Sequence, residues 1–253
     1  MARVVNIHPD SPQQRLLVQA AEPLRIATDA TYPPFEYVDT AGKVAGFEVD
    51  FAYAVCKAMQ TPCEVVNQPW DGLIPGLQAK KYDAIMSSMN ITDERRKVVA
   101  FSKVYYLMQN RFVARKGVAL TPDLAGKVIA VQTGTPQDRF VTQQYKQATV
   151  KRYVNAQDPM LELTAGRADF TFGNTVQLQK GFLDTPNGKA FGFIGPLFDG
   201  RKDKVLGEGV AVALRKQDSA LKARFDQAID QVKQSGEYAA LLKKHNLAGL
   251  LED

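Results

Sequence analysis

Three polar segments of the chain carry residue types that bind the charged ends of a small zwitterion, and each follows a predicted strand. Arg95 lies in the first turn of a predicted helix, where the positive end of the helix dipole disfavours a cation unless an anion is near. A guanidinium in that position can hold a carboxylate through two parallel hydrogen bonds. Ser87, Ser88 and Asn90 offer hydroxyl and amide groups beside it. The alternative is a surface arginine paired with an acid of its own helix.

A slot for a cation is predicted from one acid and two aromatic residues. Asp29 ends a predicted strand, Tyr32 follows three residues later, and Trp70, the single tryptophan, precedes a predicted helix. Aromatic faces attract guanidinium and ammonium groups, and a carboxylate supplies the opposite charge. The alternative is that Asp29 caps a turn and Trp70 packs in the core.

The third segment predicts an anion site at the start of a helix. It reads Gln132-Thr133-Gly134-Thr135-Pro136-Gln137, so a glycine turn leads to a threonine N-cap and to a proline in the first helical position. The free backbone N–H groups of such a helix start attract anions. No Lys-Ser or Lys-Thr pair follows, which disfavours nucleotide binding. A capped helix without a ligand is the alternative.

The elements that position these segments alternate between strands and helices in two consecutive units. In the first unit we predict strands at Leu24–Asp29, Glu64–Asn67 and Ala84–Met86, and helices at Phe47–Met59, Leu73–Ala79 and Asp93–Val99. In the second we predict strands at Gln109–Ala114, Val128–Val131, Thr149–Tyr153 and Phe170–Phe172, and helices at Pro136–Tyr145 and Pro159–Ala165. A strand at Val210–Leu214 and helices at Ser219–Gln234 and Glu237–Lys244 follow. Open α/β sheets bind ligands where parallel strands end, so the three polar segments fall at the predicted binding edge.

Composition restricts the classes of protein to which the chain can belong. Its 253 residues can form one large core or two modest ones. A hydrophobic fraction of 45% excludes a wholly disordered chain, and no apolar run approaches the roughly 20 residues that cross a bilayer. The net charge of +5 comes from 32 basic residues interleaved with 27 acidic ones, without a basic tail. This pattern argues against nucleic-acid binding.

The chain start and the cysteines bear on the cellular compartment. Residues 1–23 are predicted to be a tail or signal remnant outside the fold, because Val18-Gln19-Ala20 resembles a signal-peptidase site but lacks a full apolar stretch before it. Cys56 and Cys63 are seven residues apart across a turn, which permits a disulfide in an oxidising compartment and leaves two buried thiols as the alternative. No cluster has metal-ligand spacing, so neither metal nor cofactor is predicted.

Six stretches, in chain order, resemble one family. They are Asp29–Phe35, Gly46–Asp50, Trp70–Leu77, Lys81–Ile85, Ser87–Arg95 and Thr164–Asp169. Together they resemble the periplasmic solute-binding proteins of polar amino-acid ABC transporters, which are family 3 of the bacterial extracellular solute-binding proteins. The binders of lysine/arginine/ornithine, of histidine and of arginine are the most similar. The resemblance covers Leu24 to about Lys244.

The resemblance implies an α/β, two-lobed periplasmic binding protein fold of type II. Each lobe is then a mostly parallel sheet flanked by helices, and two strands form the hinge. Residues 24–108 plus 207–253 are expected to form the first lobe and residues 109–206 the second. The resemblance also implies a Cys56–Cys63 disulfide, a monomer, and export to the periplasm, with a signal peptide incomplete or absent in this sequence.

The resemblance further implies capture of a ligand without catalysis. The ligand is expected to be arginine, ornithine, lysine or histidine, delivered to the membrane permease of an ABC importer. The positions implied for its α-carboxylate and amino groups are Ser87, Ser88, Asn90, Arg95, Gln132, Thr135, Pro136 and Gln137. The positions implied for its distal part are Asp29, Tyr32 and Trp70.

One position departs from the family pattern. Where the second lobe usually supplies an aspartate to the α-ammonium group, this chain reads Phe172-Gly173-Asn174-Thr175. Loss of a charge-assisted hydrogen bond costs about 1.5–3 kcal/mol. Three explanations remain open: a free amino acid binds weakly, another acid such as Glu36 compensates, or the ligand is N-substituted. Opines such as octopine, which carry a secondary amine and a second carboxylate, are of the last kind.

Two other functions fit the same resemblance. Secreted dehydratases on this fold use a cleft carboxylate as a general acid, and Glu36 is the candidate for that role here. A sensor that signals to a receptor is the other, and the sequence does not separate it from a transport protein.

Overall fold

The structure, a computed structural model, describes residues 22–251, so nearly all of the predicted 1–23 tail lies outside the described residues. The strands are Leu24–Thr28 (β1), Thr31–Tyr32 (β2), Glu36–Val38 (β3), Val44–Ala45 (β4), Cys63–Asn67 (β5), Ala84–Ile85 (β6), Ala100–Phe101 (β7), Asn110–Arg115 (β8), Val128–Gln132 (β9), Thr149–Tyr153 (β10), Phe170–Asn174 (β11), Phe191–Phe198 (β12) and Ala213–Leu214 (β13). The α-helices are Phe47–Ala58 (α1), Leu73–Gln78 (α2), Asp93–Arg96 (α3), Pro136–Gln144 (α4), Asp158–Thr164 (α5), Thr175–Leu178 (α6), Ser219–Gln234 (α7) and Glu237–Lys244 (α8).

Two five-stranded sheets organise the chain. The first has the order β5-β1-β6-β13-β7 and the second the order β10-β9-β11-β8-β12. In each sheet four strands run in one direction and a single strand, β13 or β8, runs against them. This mixed α/β architecture with two mostly parallel sheets confirms the predicted fold class.

Both faces of each sheet are buried. Successive residues of a strand point to opposite sides of the sheet, and here they pack in different hydrophobic clusters. In β1, Ile26 packs in a cluster with Phe47, and its neighbour Ala27 packs in a second cluster with Leu73. The same separation occurs in β8 of the second sheet, where Phe112 belongs to one cluster and the following valine to another. Burial on both faces leaves the strand ends as the places where polar side chains can meet a ligand.

The chain crosses between the sheets twice, and the two crossing segments lie side by side. It leaves the first sheet between β7 and β8 and returns between β12 and β13. Tyr106 and Val210 form an antiparallel bridge between these segments, in which the Val210 N–H donates to the Tyr106 carbonyl at 2.9 Å. The predicted lobe limits, at 108/109 and 206/207, fall within the crossing segments and remain a prediction.

Several elements differ from the sequence-based expectation. β13 contains only Ala213 and Leu214 of the predicted Val210–Leu214 strand, and α3 ends at Arg96 rather than at Val99. β12 was not predicted, because its Gly-Phe-Ile-Gly-Pro sequence reads as a turn. It pairs with β8 through a register shift between Ile194 and Phe198, which accommodates those turn residues.

A small antiparallel sheet of β2, β3 and β4 holds the loop between β1 and α1. Gly46 follows this sheet with φ of 124°, and a side chain there would place its Cβ 2.2 Å from the Phe35 carbonyl oxygen. The Glu48 N–H donates to the same carbonyl at 2.8 Å. The start of α1 is thus held against the chain at Phe35 and Glu36. This close approach, which requires glycine at position 46, brings Glu48 near Glu36.

A disulfide joins Cys56, near the end of α1, to Cys63 at the start of β5, with the Cα atoms 6.1 Å apart. The pairing confirms the disulfide that the family resemblance implies. It closes the short turn between α1 and β5, and therefore links a helix of the first sheet to that sheet's edge strand.

Candidate functional site

A cavity of about 660 Å³, counted with its open mouth, lies between the two sheets. It is lined by all the predicted contact residues except Asn174, namely Asp29, Tyr32, Glu36, Trp70, Ser87, Ser88, Asn90, Arg95, Gln132, Thr135, Pro136 and Gln137. The three polar segments of the sequence therefore lie around one space. The sequence did not single out several further lining residues, which are Met108, Ala156, Pro159, Met160, Thr171, Gln177 and Leu178.

Arg95 is a buried cation without a carboxylate bound to it among the described residues. Its side chain is held by carbonyl groups, with Nη1 donating to Asn90 O at 2.8 Å and Nη2 to Gly134 O at 3.4 Å. The guanidinium carbon lies 5.1 Å from the centroid of the Trp70 ring. Burial, followed by the charge of Arg139, lowers the pKa of Arg95 to about 10. An arginine so placed gains most from an anionic group that enters the cavity.

The start of α3 explains the position of Arg95. Thr92 is the N-cap, and its hydroxyl accepts a hydrogen bond from the Arg95 N–H at 3.2 Å. The predicted alternative, a surface arginine paired with Asp93 or Glu94, does not describe this residue, because only 9% of Arg95 is exposed. Glu94 instead forms an ion pair with Arg139 of α4.

Asp29 brings a carboxylate to the cavity at the end of β1. Its N–H donates to the Ser87 hydroxyl at 2.8 Å, and its Oδ2 accepts from Gln132 Nε2 at 3.1 Å. Burial raises the pKa of the Asp29 carboxyl, although hydrogen bonds from Thr31 and Gln132 oppose the change. The hydrogen bonds from the protein only partly offset the cost of burying the Asp29 carboxylate. A cation in the cavity would therefore stabilise its charged form.

Glu36 is the second acid that lines the cavity, and it is only 1% exposed. Its Oε2 accepts from the Ser88 hydroxyl at 3.1 Å, and that hydroxyl accepts from Tyr106 OH at 2.9 Å. Burial first, and the nearby charge of Glu48 second, raise the pKa of Glu36 well above its ordinary range. Ser88 adopts φ of 47°, a left-handed conformation that is uncommon for serine, at this junction.

Two carboxamides and a thioether line the cavity together with Arg95. Met108 Sδ lies 3.3 Å from Asn90 Nδ2 and 3.3 Å from Gln137 Nε2. Gln137 Nε2 also donates to Asn110 Oδ1 at 2.8 Å. Thioether sulfur is a weak acceptor, so these amide groups retain the capacity to donate to ligand oxygen atoms.

Asn174 lies at the end of β11 but outside the cavity lining. Its Oδ1 accepts from the Val176 N–H at 2.8 Å and from the Gln177 N–H at 3.0 Å, so the side chain caps α6. The residues of α6 that line the cavity are Gln177 and Leu178. The cavity geometry therefore gives no direct support to the ligand contact predicted for Asn174.

Within residues 22–251, the charged groups that line the cavity all come from the first sheet and its connections. They are the carboxyls of Asp29 and Glu36 and the guanidinium of Arg95. The second sheet and its helices contribute neutral side chains, which are Gln132, Thr135, Pro136, Gln137, Ala156, Pro159, Met160, Thr171, Phe172, Gln177 and Leu178. Recognition of charge is thus concentrated on one side of the cleft.

Several contacts join the two sides around the cavity mouth. Gln157 Nε2 donates to Thr31 O at 2.9 Å, the Ala156 N–H donates to the Thr31 hydroxyl at 3.3 Å, and Arg139 pairs with Glu94. The two sides of the cleft are therefore in contact in the described conformation.

Within residues 22–251 no helix has the length and apolar character needed to span a membrane. The same residues contain no group of three or more His, Cys, Asp or Glu side chains arranged to hold a metal ion.

Comparison with known proteins identifies a family that covers nearly the whole of the described chain. The sequence profile of the bacterial extracellular solute-binding proteins, family 3, matches residues 24–248. The chain is 41% identical over 231 residues to an L-arginine-binding protein of Pseudomonas aeruginosa, covering 89% of this chain and 88% of that protein. It is 38% identical over 229 residues to the lysine/arginine/ornithine-binding periplasmic protein of Escherichia coli, covering 88% and 87%.

Solved structures with the same fold have related ligands. A Salmonella typhimurium periplasmic binding protein described as highly specific for arginine matches with a TM-score of 0.81 and 34% identity, over 88% of this chain and 99% of that one. A Silicibacter pomeroyi protein of the His/Glu/Gln/Arg/opine-binding family, in complex with lysine, matches with a TM-score of 0.80 and 30% identity, over 89% and 98%.

Proposed function

The chain belongs to the bacterial extracellular solute-binding proteins, family 3, and from that premise we propose that it captures a basic amino acid for an ABC importer. Arginine is the foremost candidate, and ornithine, lysine and histidine are the others. The ligand is held between two lobes, residues 24–108 plus 207–253 and residues 109–206, and is presented to the membrane permease. The protein acts as an exported monomer in the periplasm, and neither nucleic acid nor cofactor takes part.

The charged side chains that line the cavity are the observation that carries this proposal. Two carboxyls, Asp29 and Glu36, and one guanidinium, Arg95, line a single buried space. A basic amino acid has the opposite set, with two cationic groups and one carboxylate. Pairing these six charged groups leaves no charge of the cavity lining uncompensated, which favours burial of the ligand's ions.

The same charge set favours a free amino acid over an opine. Arg95 can pair with one carboxylate, whereas the second carboxylate of an opine would face the neutral second side of the cleft. Glu36 supplies the acid that is missing at Asn174, which is one of the three explanations left open by the sequence. We assign the α-ammonium group to Glu36 and the distal cation to Asp29, beside Tyr32 and Trp70.

Calorimetric titration with arginine, ornithine, lysine, histidine and octopine tests the proposal. We expect at least one free basic amino acid to bind with a Kd in the micromolar range or below and octopine to bind at least tenfold more weakly. Mass spectrometry of the ligand after prolonged incubation should recover it unchanged, since we propose no catalytic role for Glu36. Tighter binding of octopine would overturn the ligand assignment, and conversion of the ligand would support the dehydratase alternative.

Closure on the ligand is a separate expectation. Because Arg95 and Gln137 approach the ligand from opposite sides, only a closed cleft lets the ligand bind both. Small-angle scattering should show a smaller radius of gyration with saturating arginine than without it. The Glu94→Gln variant removes the ion pair to Arg139 and should weaken arginine binding by less than about tenfold, because solvent screens the attraction between exposed charges. An unchanged scattering profile at saturation would contradict closure.

A further inference from the structure

Glu48 is a buried acid beside the binding site that the proposed function leaves without a role. It is fully buried and does not line the cavity. Its Oε1 accepts from the Ser88 N–H at 3.2 Å and from the Tyr105 hydroxyl. Among the described residues, Oε2 has no hydrogen-bond partner. A buried carboxylate oxygen without a partner is costly, so the environment favours a proton on this group.

Glu36 and Glu48 both accept a hydrogen bond from the same residue, Ser88. The Ser88 hydroxyl donates to Glu36 while the Ser88 N–H donates to Glu48. The fold enforces the approach, because the Glu48 N–H is bonded to the carbonyl of Phe35, the residue before Glu36. Glu36 faces the cavity and Glu48 lies behind it, so a charge on either is felt by the other in a medium of low dielectric constant.

The other titratable groups around the pair supply no positive charge. From the segment before α1 come Asp29, an acid whose charge acts on Glu36, and Tyr32. From the first crossing segment come Tyr105 and Tyr106, whose hydroxyls donate to Glu48 and to Ser88. Behind them, the Tyr238 hydroxyl of α8 donates to the Tyr105 carbonyl at 2.8 Å. No ion pair within residues 22–251 joins Lys, Arg or His to Glu36 or Glu48, so a proton is the counter-charge available to the pair without ligand.

Burial raises the pKa of Glu48 to about 7, although Tyr105 and Ser88 oppose the change. Burial also raises the pKa of Glu36, and the charge of Glu48 raises it further. Without a neighbouring cation, two carboxyls placed in this way do not both ionise near neutral pH, and they titrate as a pair. A ligand cation next to Glu36 supplies the positive charge that the proton otherwise supplies.

We propose that Glu48 is a positioning residue for the ligand's cationic group: it shares one proton with Glu36, and binding of a basic amino acid releases that proton to solvent. The inference rests on the proposed function, because it requires a cationic ligand facing Glu36. It adds that the affinity depends on external pH. Because the bound state holds fewer protons than the free state, affinity rises with pH, by up to about tenfold per pH unit below neutrality for one proton released.

The test is calorimetric titration of arginine at pH 6.5 in two buffers of different ionisation enthalpy, which counts the protons released. We expect release of between half a proton and one proton by the wild-type protein. In Glu48→Gln the carbonyl oxygen still accepts from Ser88 and Tyr105, while the second acid is gone. Release should therefore fall below about a quarter of a proton, and arginine should bind at pH 6 at least threefold more tightly than to the wild type.

A purely structural role for Glu48 predicts the opposite sign, since a damaged site would bind more weakly at every pH. Glu237→Gln, an exposed change on α8, is the matched control and should behave as the wild type. If Glu48→Gln fails to fold, the wild-type proton count and its affinity profile from pH 5.5 to 8 still decide. Arginine binding without proton release overturns this inference alone, whereas failure of every basic amino acid to bind overturns the proposed function.

Discussion

Arg95→Ala should weaken arginine binding by at least about a hundredfold while leaving the protein folded. Removing one partner of a buried, hydrogen-bonded ion pair costs about 3–5 kcal/mol, which is two to three and a half decades of affinity. Arg95 suits this role, because its guanidinium is buried in the cavity and, among the described residues, donates only to the carbonyl oxygens of Asn90 and Gly134. The ligand carboxylate is thus its proposed anionic partner.

The same substitution should not lower the stability of the ligand-free protein. Burial of an uncompensated cation is unfavourable, as the lowered pKa of Arg95 indicates, so alanine removes a cost together with two hydrogen bonds. Thermal unfolding without ligand should occur within a few degrees of the wild type, and the increase in melting temperature caused by arginine should vanish. Arg96→Ala, which removes an exposed ion pair to Glu208, is the matched control and should bind normally. Wild-type affinity in Arg95→Ala would show that Arg95 does not hold the ligand.

The contacts that the sequence predicted are those whose local pattern has a chemical consequence. Arg95 stands out because a cation in the first helical turn is electrostatically unfavourable, and Trp70 because it is the single tryptophan and precedes a predicted helix. Asp29 stands out as an acid at the end of an apolar strand. The structure places all three around one cavity, as expected for residues at the ends of parallel strands.

The residues that the sequence did not reveal depend on long-range packing. Met108 lines the cavity because the chain crosses there between the sheets, and a methionine beside a strand has no sequence signal. Gln177 lines the cavity from α6, whereas Asn174 caps that helix. Glu48 falls at a helical position whose partner, Glu36, is brought near it by the approach of Gly46 to Phe35. Local periodicity contains none of this information.

The short strands show the same limit. β2 and β4 have two residues each, too few for an alternating pattern, yet they hold the loop that carries Tyr32 and Glu36. The disulfide, in contrast, follows from the family resemblance, because the seven-residue spacing alone leaves two buried thiols as the alternative. The architecture of two α/β units was visible in the alternation of long elements such as α1 and α7.

Asp29→Asn should weaken arginine binding by between about tenfold and a hundredfold and should barely affect citrulline. Citrulline has the shape of arginine with a neutral urea group in place of the guanidinium, so it lacks the cation that we assign to Asp29. A charge-assisted hydrogen bond contributes about 1.5–3 kcal/mol, which corresponds to the expected loss for arginine. Asparagine keeps an oxygen that can accept from Gln132, so the change tests charge with little change of shape.

Calorimetric titration of both ligands against both proteins forms a double-mutant cycle between Asp29 and the ligand cation. The wild type should prefer arginine to citrulline by at least tenfold, and Asp29→Asn should reduce that preference to about threefold or less. Asp71→Asn is the control for long-range effects, because the Asp71 charge acts on Asp29 but its side chain does not line the cavity. Equal losses for the two ligands would mean that Asp29 supports the site without contacting the cation. Glu36 would then be the remaining acid for the distal group, and the α-ammonium group would lack a carboxylate partner, as the asparagine at position 174 first suggested.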